Sequence, residues 1–400
     1  MPLRFPPQVL STTLTIVIVS LSLFAQQLSV TRLDASKISP PQIDTAVARL
    51  MEAAHVTGVG IAVLNNDKVV YLKTYGVRDK EKHLPLTPDS VMTAASLTKS
   101  VFAVMVMQLV HERIIELDKA VYEYLPKPLP EYPAYKDLAG DLRYKQITMR
   151  MLLDHTSGFP NWRQFTDDKK LRIYFPPGSR FAYSGEGIAL AQMVVETVTK
   201  KSVSELMNEY VFQPLGMTRT SMVWEKRFED DYANGYDEQG ESRGPERRPK
   251  GDAAGSMQTT LRDYARFVQA VLSGTILDRK SRELILSSQI QIVSKHEFPS
   301  LSAETTTENR AIHLSYGLGW GLYWTRHGEA FFKEGHDEDG GWRHYVVCFD
   351  RPKAGMLIMT NSSNGEDIYS GLLETVLRDT FTPLEWEGFR VSTNVGPSHP

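Results

Sequence analysis

From Val101 to Val110 the chain is apolar nearly all round a helical turn, with Val101, Phe102, Val104, Met105, Met107, Leu109 and Val110 leaving no polar face. A helix of that kind is stable only when other elements cover most of its sides, so the sequence requires a layered domain with this helix inside it. Four hundred residues, 42% of them hydrophobic, can supply those layers as one large domain or two smaller ones. At the head of the run stands Ser96-Leu97-Thr98-Lys99. Residues three apart on a helix share a face with about 4.5 Å of rise, which puts the Ser96 hydroxyl within reach of the Lys99 amine. The pattern predicts a helix from Leu97 to about Ile115 whose first turn, deep in the protein, carries a nucleophile and a base.

Charge and cysteine content exclude other chemistries. A formal charge of -3, with both signs scattered and no basic stripe, gives nucleic acid no electrostatic footprint. Cys348 is the single cysteine, so an intrachain disulfide is impossible. Its place in Tyr345-Val346-Val347-Cys348-Phe349 predicts a small buried hydrophobe rather than a nucleophile. Residues 1–25 carry Arg4 and then an apolar stretch from Val9 to Ala25, the pattern of a secretory signal or an uncleaved anchor. The expected location is periplasmic or extracellular, with any membrane attachment confined to that segment.

A polar linker over 26–40 gives way to Ile43, Val47, Leu50, Met51 and Ala54 at helical spacing. Gly60–Leu64 and Val69–Leu72, joined by Asn65-Asn66-Asp67, predict a β-hairpin before the serine helix. From 116 to 254 the texture is proline-rich connections and helical patches, ending in a charged loop from Glu225 to Asp252. A helix over Leu261–Leu272 is followed by strands over Leu318–Trp324, Ala330–Lys333, His344–Phe349 and Met356–Thr360, then by a helix containing Ile368, Leu372, Leu373, Val376 and Leu377. The expected fold is α+β: one antiparallel sheet flanked by helices, with an inserted mostly helical subdomain. The domain is expected over 41–385, its sheet part over 41–115 plus 255–385, with a C-terminal tail over 386–400.

A serine hydrolase needs a proton acceptor near its hydroxyl and donors for the oxyanion. Candidate partners lie in Leu152-Leu153-Asp154-His155-Thr156-Ser157-Gly158, in Tyr183-Ser184-Gly185 and in Gly335-His336-Asp337-Glu338-Asp339-Gly340-Gly341-Trp342-Arg343. Taken in order with Ser96-Leu97-Thr98-Lys99, the helix start at Ser256-Met257-Gln258-Thr259-Thr260-Leu261 and Tyr316-Gly317-Leu318-Gly319-Trp320, these segments resemble the serine β-lactamase superfamily. Within it the nearest groups are class C β-lactamases, D-alanyl-D-alanine carboxypeptidases and β-lactamase-like esterases. The resemblance covers nearly all of residues 41–381.

It implies a β-lactamase/transpeptidase-like fold and a catalytic set of Ser96 as acylated nucleophile, with Lys99 and Tyr183 moving protons and His336 opening the family's third motif. Either Lys99 or Tyr183 can be the formal base. Substrate contacts are expected from Gly185, Gly340 and Arg343, and a second oxyanion N–H near Asp339 or Gly340. Two departures from the family pattern bear on specificity. Gly185 stands where β-lactamases carry asparagine, and Asp337-Glu338 follow His336 where a small residue and glycine are usual. An acidic pair there disfavours carboxylate-bearing substrates such as β-lactams and D-Ala-D-Ala peptides; Arg343 is the cation available to offset it, although its position favours a strand-end surface arginine.

Three rival arrangements fail on geometry. A triad of His155 with Ser157 is disfavoured because one tight turn does not hold base and nucleophile in line, and in the family that segment is structural. No G-x-S-x-G elbow is present. The run of His336, Asp337, Glu338, Asp339 and His344 matches no metal-ligand spacing, so no metal or cofactor is expected. The expected function is an acyl-enzyme hydrolase of an ester, β-lactam or D-amino-acid peptide. A sensor that keeps the fold without efficient turnover is the alternative.

Overall fold

The computed structural model describes residues 29–337 and 339–391, so the export segment expected over 1–25 and Glu338 lie outside the described residues. Helix α1, Pro40–Ala53, starts where Ser39 and Gln42 cap one another reciprocally and Pro40 takes the first helical position. Strands β1, Gly58–Asn65, and β2, Lys68–Asp79, form the expected hairpin. Asn66 and Asp67 turn it with φ of +48° and +57°, a left-handed pair that suits the twist of the strands it joins. A short β3, Leu84–Pro85, pairs with β2 before the chain enters α2, Leu97–His111.

Every residue of α2 from Leu97 to Met107 is buried, as its composition demands. The inserted region covers it with Met149, Leu152 and Leu206, and the sheet with Phe331, Val346 and Cys348. Cys348 is a buried free thiol there. Helix α3, Gly185–Thr199, is capped by Ser184, and helix α4, Leu261–Ser273, by Thr260. Six more strands complete the sheet: β4, Ile290–Gln291; β5, Ser315–Tyr316; β6, Gly321–Thr325; β7, Gly328–Asp337; β8, Trp342–Phe349; and β9, Ala354–Thr360. Their order across the sheet is β4-β5-β6-β7-β8-β9-β1-β2-β3, every pairing antiparallel.

Both faces of the sheet are covered, which is why its central strands read as apolar runs. Val59, Ile61 and Val63 of β1 face one core layer, shared with α1 and with helix α5, Tyr369–Leu372, which continues through a π turn at Leu373–Leu377. Ala62 and Leu64 face the other layer with α2. The α+β architecture is therefore as expected, with β7 and β8 longer than their sequence pattern suggested. Beyond the final helix, Trp386 and Phe389 are 5% and 7% exposed and join the α1 layer. The segment expected as a tail thus begins as part of the packed domain. No helix among the described residues is long and apolar enough to cross a membrane.

One feature of the sheet positions the site. Strand β7 pairs with β8 along its length but with β6 only as far as Phe332. From Lys333 to Asp337, β7 has no strand partner on the β6 side among the described residues, and Gly335 comes against the start of α2. A side chain at Gly335 would lie 2.7 Å from the Ala94 carbonyl and 3.1 Å from the Leu97 nitrogen, so only glycine permits the approach.

Candidate active site

Ala95 holds φ +48°, a left-handed conformation that costs a residue with a Cβ about 1 kcal/mol. That turn delivers Ser96 to the head of α2. Lys99 Nζ lies 2.8 Å from Ser96 Oγ and donates to the Ala254 carbonyl at 2.6 Å. Only 2% of Lys99 is exposed. Burial first, and the charge of Lys333 second, pull its pKa from 10.5 to about 7. Near neutral pH a large share of Lys99 is therefore free amine, with a lone pair for the Ser96 proton.

Tyr183 sits two residues before α3, directly ahead of the capping Ser184, whose hydroxyl accepts the Gly187 N–H at 2.9 Å and fixes the helix start. Its ring lies between two amines, Lys99 Nζ at 5.0 Å and Lys333 Nζ at 4.8 Å from the centroid. Lys333 also donates to the Tyr183 hydroxyl at 3.3 Å. Burial, then the Glu334 charge, raise the phenol pKa well above 10, with a hydrogen bond to Ser96 acting the other way. Tyr183 is thus a neutral phenol at physiological pH. His155 packs against it with centroids 4.5 Å apart, and its Nδ1 accepts the Ser184 N–H at 3.3 Å. The imidazole is a shelf for Tyr183, far from the triad role that its sequence context invites.

Lys333-Glu334-Gly335 is the part that sequence reasoning missed. Lys333 is fully buried, ion-paired with Glu334 and in contact with Tyr183. Gly335 is the residue at which β7 meets Ser96's helix. The signal was a Lys-x-Gly spacing toward the end of an apolar strand, hidden because the motif was sought from the next residue, His336. His336 instead lines the cleft wall, its ring 4.8 Å from Phe389 and its Nε2 without a partner among the described residues. Burial keeps its pKa well below 6.5, so the ring is neutral.

Gly185, Gly340 and Arg343, expected to contact substrate, are not among the residues that line the cleft at Ser96. A side chain at Gly185 would stand 2.4 Å from the Trp162 indole, so this glycine makes room for an aromatic that itself lines the cleft. An amide is nevertheless present, since Asn161 lines the cleft and its Oδ1 accepts the Gly185 N–H at 3.1 Å. Gly340 lies in the turn after β7, its N–H donating to Asp337 at 3.0 Å, five residues beyond the glycine that meets α2. The β7 backbone beside Gly335, rather than Asp339 or Gly340, is what the fold brings against the head of α2. Arg343 is 8% exposed, and its Nε donates to Glu366 at 2.9 Å.

Ser96, Lys99 and Tyr183 open into a cleft of about 820 Å³. The charged loop over Glu225 to Asp252 reaches it with Arg248 and Asp252, and the loop after β4 with Phe298, Pro299 and Leu301. Trp162 and Phe389 add aromatic faces. A cleft of this size with a few convergent polar groups is suited to a small-molecule or peptide substrate.

The Beta-lactamase family profile matches residues 43–374. "Beta-lactamase" from Yersinia enterocolitica is 25% identical over 296 residues, covering 70% of this chain and 68% of that protein. "Protein flp" from Staphylococcus aureus is 27% identical over 217 residues, covering 50% of this chain, which spans only 42% of that longer protein. Among solved structures, the octameric penicillin-binding protein homologue from Pyrococcus abyssi superposes with a TM-score of 0.67 at 23% identity, covering 85% of this chain and 79% of that one. That likeness speaks to fold.

Proposed function

The chain belongs to the beta-lactamase family, and from that premise we propose that it is a serine acyl hydrolase working through an acyl-enzyme on Ser96. Lys99 takes the Ser96 proton as the hydroxyl attacks a carbonyl. Tyr183, held as a phenol between two amines, passes a proton to the leaving group. The backbone N–H of Ser96 and of β7 beside Gly335 receive the oxyanion, and water then releases the acyl group. The observation that carries this reading is the 2.8 Å contact between Ser96 and a lysine whose pKa burial has drawn to about 7. It makes Lys99 rather than Tyr183 the base, because a phenol whose pKa lies well above 10 holds its proton at neutral pH.

Mass spectrometry after treatment with a fluorophosphonate and with a penicillin tests the nucleophile. An adduct on Ser96, absent in Ser96→Ala, is expected, and labelling elsewhere would overturn the assignment. Turnover of nitrocefin, short-chain p-nitrophenyl esters and D-amino-acid peptides then separates the substrate classes. A stable adduct with hydrolysis of none of them would favour a sensor. The apolar segment from Val9 to Ala25 supports export, which N-terminal sequencing of the protein from culture medium or periplasm tests.

A further inference from the structure

The acyl-transfer reading leaves one feature of the cleft unused, a set of apolar side chains open to solvent. Phe165 is 79% exposed and Phe298 43% exposed, and both line the cleft that opens on Ser96. They come from loops far apart in the sequence. Pro160, Trp162 and Phe165 belong to the connection before α3, and Phe298, Pro299 and Leu301 to the loop after β4. Apolar surface left in water carries a free-energy cost that a ligand covering it removes. Much of the remaining lining is charged, with Arg248, Asp252, Asp337 and Asp339, so the apolar part is a distinct patch.

Its contacts fix where this patch lies. The Phe298 ring stands edge-on to Tyr183, with centroids 5.4 Å apart. The Trp162 indole occupies the space beside Gly185, on the same segment as Tyr183. From the other side of Tyr183, the Arg180 guanidinium donates to the Leu301 and Ser302 carbonyls at 3.2 and 3.1 Å. The Glu297 N–H donates to the Trp386 carbonyl at 2.9 Å. Phe298 is therefore held between two anchored points, and an aromatic fixed in place loses little freedom when a ligand covers it. Both loops flank the segment that carries Tyr183, and Phe298 packs on its ring.

That neighbourhood says which part of a substrate meets the patch. As Ser96 Oγ bonds to the acyl carbon, the bond from that carbon to the leaving oxygen breaks. Lys99 receives the Ser96 proton, Tyr183 gives its own to the leaving oxygen, and the Lys99 ammonium restores the phenol. The substituent on the oxygen that Tyr183 protonates therefore emerges beside Phe298. We propose that Phe298, with Trp162 and Leu301 near it, receives the leaving group and sets specificity there, making the preferred substrates esters of apolar alcohols. The proposal rests on the acyl-hydrolase reading for its reaction but not for its binding.

The test compares kcat/KM for hexyl acetate and ethyl acetate, whose alcohols are of similar acidity, by titrating the acid released at constant pH. A preference of at least about tenfold for hexyl acetate is expected, shrinking toward unity in Phe298→Ala. The ratio of p-nitrophenyl octanoate to p-nitrophenyl acetate varies the acyl side alone and should be the same in both proteins. If Phe298→Ala lowered both alkyl acetates together and left their ratio intact, the ring would only steady Tyr183 and the proposal would fall. An equal change in the acyl ratio would overturn it as well. A calorimetric titration of the Ser96→Ala protein with 1-hexanol is independent of turnover. It should show saturable binding, weakened at least about tenfold when Phe298→Ala is added, with the melting curve showing that the fold is kept. Hexanol binding without turnover of any ester would sink the hydrolase reading and leave the apolar site standing. Turnover with no alcohol preference and no hexanol binding would sink the apolar site alone.

Discussion

At the scale of single residues, the proposed acyl transfer requires Lys99 to be uncharged when it receives the Ser96 proton, and burial at the head of α2 favours that state near neutral pH. The acid limb of kcat/KM is therefore expected to fall tenfold per pH unit below about 7 and to be flat just above it. A profile with no inflection between pH 6 and 8 would remove Lys99 as base. The same burial has a stability cost. Between about 7 and 10.5 the folded protein lacks a proton that the unfolded chain still binds at this lysine, so its contribution to stability rises with pH across that window. Lys99→Met has no charge to desolvate. It should abolish turnover while raising the melting temperature at pH 7 by roughly 2 °C or more. Tyr183→Phe separates the two proton carriers. Loss of the phenol is expected to cost about 100-fold in kcat on an anilide, which needs a proton on its leaving group, and much less on a p-nitrophenyl ester, which does not. Equal losses on both substrates would mean that the hydroxyl only positions Lys333.

Elements place these residues, and here the legibility of the sequence divides. Helix α2 announced itself because eleven buried residues in succession from Leu97 to Met107 leave no polar face, and the β1–β2 hairpin because Asn66 and Asp67 suit a left-handed turn. Ser96, Lys99 and Tyr183 were legible for the same reason, since each sits at a helix start with a local signal. The end of β7 was not. The apolar pattern stopped at Lys333 because the residues buried beyond it, Glu334 and Gly335, are a charge and a glycine. Lys333 was read only as the end of a strand, and the third motif was sought at His336, three residues further along it. Contacts such as Trp162 on Gly185 or Glu366 on Arg343 join segments 23 residues apart, and no period records them. The register of β7 is testable through Gly335. An added methyl would lie 2.7 Å from the Ala94 carbonyl, so Gly335→Ala must push the strand away from Ser96. The expected result is a loss of about 1–3 kcal/mol in chemical denaturation, with fluorophosphonate labelling of Ser96 slowed at least tenfold.

For the whole molecule, the site is assembled from the beginning, middle and end of the domain, and its C-terminal contribution was the least visible. Trp386 opens the segment expected as a tail, yet its ring lies 5.9 Å from Phe181 and 6.4 Å from Phe332. Phe181 is two residues from Tyr183, and Phe332 immediately precedes Lys333. One indole thus braces the segments that carry the phenol and the second amine, while Glu387 and Phe389 beside it line the cleft. A passive tail residue replaced by alanine changes stability by less than about 0.5 kcal/mol. Trp386→Ala should instead cost about 3–5 kcal/mol in equilibrium unfolding, the range for emptying a buried aromatic site. At temperatures where the variant remains folded, its kcat should also drop, because loosening Phe181 and Phe332 lets Tyr183 and Lys333 drift from the geometry that proton transfer demands. A near-neutral change in unfolding free energy would show that the last residues merely rest on the domain, and the cleft would then be bounded by the sheet and the inserted helices alone.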